Sequence, residues 1–196
     1  MSDSSRPEVA FSSTAQVRAG KLVVEYVLVN RSGRTIYVFD RPTRFQAGVV
    51  KVDPDRMFVL LSGKDEVRLL QTFVGLPELH DIRRRPPLIV SPVPPQAELR
   101  RTIALDLPLS ENQQFYSANP AADPPVTVDR VRVQVGWVEE RAGMTVNTLP
   151  IDGRDQTKLS GGWGKPTQWI SEALLATPQV TVLRHVEPFE RNPSLD

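Results

Sequence analysis

The stretch Lys21-Leu-Val-Val-Glu-Tyr-Val-Leu-Val-Asn30 decides the fold class. Leu22, Val24, Tyr26 and Leu28 recur at every second position, while Lys21 and Glu25 fall on the other side with Val23, Val27 and Val29. Side chains alternate across a strand, so this period predicts a central strand with one face in a core and a mixed outer face. Asn30-Arg-Ser-Gly-Arg34 then supplies residues that tolerate turn geometry, and Thr35 to Phe39 resumes with β-branched and aromatic residues. The pair reads as a hairpin or a sheet-to-sheet corner.

A second stretch repeats the pattern. Val131, Val133, Val135 and Trp137 alternate with Arg132, Gln134 and Gly136, which predicts a strand from Val128 to Glu140 with Trp137 in the core. Shorter strands are predicted at Val49–Val52, Met57–Leu61, Val67–Val74 and Val180–Val186, with turns at Asp53-Pro-Asp55 and Ser62-Gly-Lys-Asp65. Leu99, Ile103, Leu105 and Leu107 share a face, and Glu98, Arg100, Thr102 and Asp106 oppose them. Arg101 falls on the apolar face, which places it at the rim of the sheet. One segment reads as a helix. In Lys165–Ala176, Pro166 suits a first helical turn and Trp169, Ile170, Ala173 and Leu174 recur at helical spacing, with Pro178 blocking extension. The 18 prolines chop the chain into short segments and favour strands joined by turns.

The expected architecture is all-β, an antiparallel sandwich over residues 9–187 with one short helix in the C-terminal half. The polar, proline-containing ends, residues 1–8 and 188–196, are expected to be flexible. The run from Leu22 to Phe39, an apolar strand ending in Asn-x-Ser-Gly and then a β-branched strand, resembles bacterial immunoglobulin-like modules. Leu99–Pro108 followed by Val131–Val138 resembles their later strands. The resemblance implies an immunoglobulin-like β-sandwich and carries no site residues; the cysteine pair of antibody-type domains is absent.

Composition narrows the chemistry. With no cysteine, disulfides, thiolate-bound zinc, iron–sulfur clusters and thiol nucleophiles are excluded, and His80 and His185 lie far apart in the chain. No cofactor, metal site or catalytic residue is predicted. A net charge of +1 and a single basic run argue against nucleic acid. The first residues lack the basic start and apolar core of a leader, and no apolar run is long enough for a membrane helix. This leaves the compartment open: cytoplasmic by default, cell-envelope or secreted if a leader has been removed.

Apparent motifs yield to simpler readings. Ser160-Gly-Gly-Trp-Gly-Lys-Pro166 resembles a phosphate loop, but Leu159 replaces the first glycine and Pro166 the magnesium-binding hydroxyl residue. Asp152-Gly-Arg-Asp155 and Asp53-Pro-Asp55 lack the ligand array of a calcium loop and read as turns. No Gly-x-Ser-x-Gly presents a nucleophile. Two features remain as candidates for binding another protein. Arg83-Arg84-Arg85 could grip an acidic surface, beside a proline-rich Pro86–Pro95 tract expected to be extended and polyproline-like. Trp163, set among glycines, could anchor a partner. The expected function is non-enzymatic: protein binding, self-association or assembly through a strand edge, Arg83–Arg85 or Trp163. The alternatives are a carbohydrate-binding module using Trp163 with Tyr116 or Trp169, and an enzyme with a spatially assembled acid/base pair.

Overall fold

The computed structural model describes residues 7–73, 87–112, 124–160 and 168–184. The strands in chain order are β1 (Val9–Arg18), β2 (Lys21–Asn30), β3 (Ile36–Val38), β4 (Thr43–Gln46), β5 (Val49–Val52), β6 (Phe58–Ser62) and β7 (Glu66–Gln71). They continue with β8 (Leu88–Val93), β9 (Glu98–Asp106), β10 (Leu109–Ser110), β11 (Val126–Glu139), β12 (Thr145–Ile151), β13 (Arg154–Ser160) and β14 (Trp169–Leu183). Over the described residues the protein is all-β, with antiparallel and mixed sheets and no barrel.

A three-stranded sheet runs β1-β2-β9. The large sheet runs β10-β14-β11-β3-β8-β13-β12, with β7 joining β11 in parallel and β6 pairing β7. β4 and β5 form a separate hairpin. The two main sheets stack over one core. Leu22, Val24, Tyr26 and Leu28 of β2 meet Val131, Val133, Val135 and Trp137 of β11, together with Val67 and Leu69 of β7. The alternations that predict these strands are thus realised on facing sheets. A second, smaller cluster of Tyr37, Phe39, Val90, Val138 and Leu159 forms beside Phe73, Leu88 and Met144.

Between β2 and β3 the chain changes sheet, so Asn30–Arg34 is a corner. Buried Asn30 holds it. Its Nδ2 donates to the carbonyls of Arg34 (2.8 Å) and Val93 (2.9 Å), and its Oδ1 accepts from Ser32 N (3.0 Å) and Oγ (2.7 Å). All the amide's bonding groups are satisfied, as burial demands.

The helix expected over 165–176 is not formed: from Trp169 onward the chain is strand β14, and Lys165–Thr167 lie outside the described residues. Ser171, Ala173 and Leu175 are more buried than Glu172, Leu174 and Ala176, so the true period is two. Small and polar residues on the inner face disguise it, and hydrogen bonding to β11 overrides the local helical spacing. Pro178 does not end the element. The register jumps there from Arg130↔Ala176 to Val128↔Val180, a bulge that accommodates a residue without an N–H.

The proline-rich tract is also corrected. Leu88–Val93 is not a polyproline-like connection but an inner strand, paired with β3 on one side and β13 on the other. The pairing with β13 stops at Val90↔Thr157. The next hydrogen-bonded position would require an N–H from Pro92, which has none. The strand survives because its other edge, toward β3, needs no donor from Pro92.

Candidate functional site

Which backbone groups of the small sheet are free follows from one turn. Ala19 (φ 49°) and Gly20 (φ 75°) form a two-residue loop of the type that matches strand twist. The flanking Arg18 and Lys21 are then a hydrogen-bonded pair, and direction alternates from there. Leu22, Val24, Tyr26 and Leu28 therefore bond to Leu105, Ile103, Arg101 and Leu99 of β9. Two bonds at the sheet ends keep the same phase: Asn30 N to Ala97 O and Leu107 N to Gly20 O, each 3.0 Å. The N–H and C=O groups of Glu98, Arg100, Thr102, Ala104 and Asp106 consequently point away from β2. Among the described residues no other strand pairs with them.

Beside the Ala104–Asp106 end of this edge lies a cavity of about 340 Å³. It is lined by Asp53, Asp55, Asp106 and Arg56, and by apolar Met57, Val59, Leu105 and Leu109. Asp106 pairs with Lys21 at 2.9 Å and Asp53 lies 4.0 Å from Arg44, both at exposed positions where such pairs are readily exchanged. Among the described residues Asp55 has no ion-pair partner. Arg56 lies 5.5 Å over the Phe58 ring. Burial first, and then Arg44, lowers its pKa from the usual arginine value, while Asp53 opposes that shift.

A buried polar network fixes both the edge and the cavity wall. Arg101 lies on the edge strand of its sheet but not at the strand's end: it stands opposite Tyr26 in mid-strand, and its partly buried guanidinium reaches Asp40, just after β3. Arg101 Nε donates to Asp40 Oδ2 at 2.7 Å, and Nη2 donates to the same oxygen. Asp40 is fully buried, whereas the Arg101 side chain is 24% exposed. Ser91 Oγ donates to Asp40 Oδ2 (3.0 Å) and accepts from Arg41 Nε (2.9 Å), and Arg41 Nη1 donates to Gln156 Oε1 (3.0 Å). The network thus ties β9 to β8 and β13. Alongside it, Tyr26 donates its hydroxyl to Gln71 Oε1 at 2.6 Å. Gln71 Nε2 donates to the carbonyls of Arg56 (3.0 Å) and Pro54 (3.1 Å), which holds the 53–57 wall of the cavity.

Arg83, Arg84, Arg85 and Trp163 lie outside the described residues, as do His80, Tyr116 and His185. Trp169 is half-buried, its ring 6.3 Å from that of Trp137, and it packs against the main core. Asp53–Asp55 forms the predicted turn, with Arg56 N donating to Asp53 O at 3.2 Å. Its role in lining a cavity was not legible locally, because Asp106 comes from a distant strand. Among the described residues no group of three or more acidic or histidine side chains is placed to hold a metal ion, and no helix is long and apolar enough to cross a membrane. Compared with known proteins, the chain matches no family model, no curated protein and no solved structure.

Proposed function

We propose that this protein is a non-enzymatic binding or assembly module that captures an extended segment of another protein by strand addition at β9. The observation that carries it is the junction of a nine-residue edge, unpaired among the described residues, with an acidic, partly apolar cavity at its end. In strand addition, main-chain bonds supply affinity and side-chain pockets supply selectivity. The outward groups of Thr102 and Ala104, with the N–H of Arg100, offer the first; the Arg100 carbonyl accepts from Arg101 Nη1 at 3.4 Å. The cavity offers the second: its more exposed apolar lining, Leu105 and Pro108, suits the stem of a lysine or arginine, and Asp55 its charged end. We further read the stacked sheets as an immunoglobulin-like sandwich, on the ground that the chain passes from β2 in one sheet to β3 in the other and returns to β9.

Selection from a displayed library of random twelve-residue peptides tests this. Binders should alternate β-branched residues and carry a Lys or Arg at a fixed position. Ala104→Pro removes an outward N–H without touching the ladder to β2, and should abolish capture while leaving the melting temperature nearly unchanged. Asp55→Lys should remove the basic preference. Failure to enrich any peptide, or capture indifferent to Ala104→Pro, would overturn the proposal.

A further inference from the structure

The opposite end of the large sheet carries an edge of another kind. Asp152 (φ 52°) and Gly153 (φ 70°) form the two-residue turn of the β12–β13 hairpin, making Ile151 and Arg154 its hydrogen-bonded pair. Alternation from there turns the N–H and C=O groups of Val146 and Thr148 away from β13, along with the carbonyl of Pro150. Pro150 has no N–H, and it occupies a position where none is needed. Among the described residues β12 pairs with β13 alone. Thr145–Thr148 are exposed on both faces, and Val146 is 42% exposed. Unlike most edges, Thr145-Val-Asn-Thr-Leu-Pro-Ile151 contains no charge to deter a like strand.

We infer that β12 pairs antiparallel with β12 of a second copy of this chain, about a two-fold axis at Asn147. This register sets Val146 of each copy opposite Thr148 of the other, so the N–H and C=O groups of both residues find partners, while the Pro150 carbonyl faces Met144 and stays unpaired. Thr145 meets Leu149 on the opposite face, and the cross-strand pairs are neutral and largely β-branched. A shift of two positions one way would set Pro150 opposite Val146 and make the same number of bonds, but would offset the Arg141 turn from the Asp152 tip. A shift the other way would call on Met144, whose N–H already donates to Arg141 O at 3.3 Å. The centred register also carries the Arg141 turn of one copy toward the Asp152 tip of the other, so flanking charges of opposite sign meet. An interface of one strand is small, which predicts a weak, concentration-dependent dimer.

Sedimentation equilibrium of the full chain, from about 1 to 500 µM, tests it. The wild type should dimerise with a dissociation constant in the micromolar range. Thr148→Pro deletes one outward donor per copy and should weaken association at least about tenfold, with an unchanged circular-dichroism spectrum. Asn147→Lys and Asn147→Asp, which place like charges face to face, should each be monomeric, and their mixture should restore the dimer. A wild type that stays monomeric across the range overturns the inference. So does a folded Thr148→Pro that dimerises as well as the wild type, or a mixture that fails to associate. The pairing uses an edge separate from β9, so its failure leaves peptide capture untouched, and the reverse holds.

Discussion

Two of the edges left open among the described residues, β9 and β12, differ in what surrounds the same unpaired backbone. β9 is pinned on its inner face: Ile103 is in the core, and partly buried Arg101 binds fully buried Asp40. Its outward positions carry Glu98, Arg100 and Asp106, charges of both signs. β12 is held by β13 and, at its tip, by the exposed Lys51–Asp152 pair. Its own residues are neutral. Free N–H and C=O groups invite pairing in both cases, but charged flanks reject a like strand and admit a complementary one. An edge is therefore specified by its neighbours and by how firmly it is anchored. On our proposals, β9 selects a foreign segment and β12 a copy of itself.

The anchoring of β9 is the most consequential half of that contrast to break. Arg101→Ala strips the guanidinium from a fully buried carboxylate, and should cost about 3–5 kcal/mol in urea unfolding. Replacing both partners, as Asp40→Leu with Arg101→Met, should recover most of that loss, because no charge is then left buried and unpaired. A single-variant loss below about 1 kcal/mol would show that the pair does not hold the edge. Next in size is Gln71→Ala, at about 2–3 kcal/mol, since the Tyr26 hydroxyl and the carbonyls of Pro54 and Arg56 lose a buried partner together. It should also weaken peptide capture at β9 by loosening the 53–57 wall, while dimerisation through β12 persists in the fraction that remains folded.

The contrast explains what could be read from the chain alone. The period-two runs at Leu22–Leu28 and Val131–Trp137 were legible because burial on one face writes itself into spacing. β14 was not, because Ser171 and Thr177 interrupt the apolar side of its pattern while Leu174 stands 48% exposed on the other. Arg101 was placed at the rim because an arginine on an apolar face is costly without a partner, and that partner, Asp40, is 61 residues away. Edge status is a property of strand order, which no local pattern encodes. Neutrality was the one local signal in β12: seven uncharged residues, Thr145–Ile151, followed by the turn Asp152-Gly153. The sequence motifs that drew attention, Arg83–Arg85 and Trp163, fall outside the described residues and leave the comparison of edges unaltered.

Alkaline titration sharpens the same comparison. Burial raises the pKa of Tyr26 well above the ordinary tyrosine value, Asp40 adds to the rise, and Arg101 opposes it. A group raised on folding contributes stability below its unfolded pKa and loses it as pH climbs toward the folded value. Global stability should hold up to about pH 10 and fall beyond it. Tyr26→Phe should shrink that fall, leaving a smaller part to Tyr37, whose pKa burial also raises. Thr145–Ile151 holds no titratable side chain, so hydrogen exchange by local opening of β12 should lack this dependence once corrected for the intrinsic rate.

The smallest effects belong to the turns that set the phase of each edge. Ala19–Gly20 before β2 and Asp152–Gly153 before β13 share one backbone geometry, with positive φ at both residues. Alanine resists that region by roughly 1–2 kcal/mol, whereas Asn and Asp enter it more readily through local side-chain hydrogen bonds. Ala19→Asn should therefore raise thermal stability by about 0.5–1 kcal/mol. Asp152→Ala should weaken the β12–β13 hairpin by a similar amount, with part of the change due to loss of the Lys51 contact. The two variants should also part company in where the change is felt. Ala19→Asn acts on the sheet anchored through Arg101, so it should shift the cooperative unfolding midpoint. Asp152→Ala acts on a hairpin whose outer strand is exposed on both faces, so its effect should surface as faster amide exchange at Asn147 and Leu149 with little movement of the midpoint. A midpoint shift of equal size in both variants would mean that β12 unfolds with the core, and that the two edges are equally anchored.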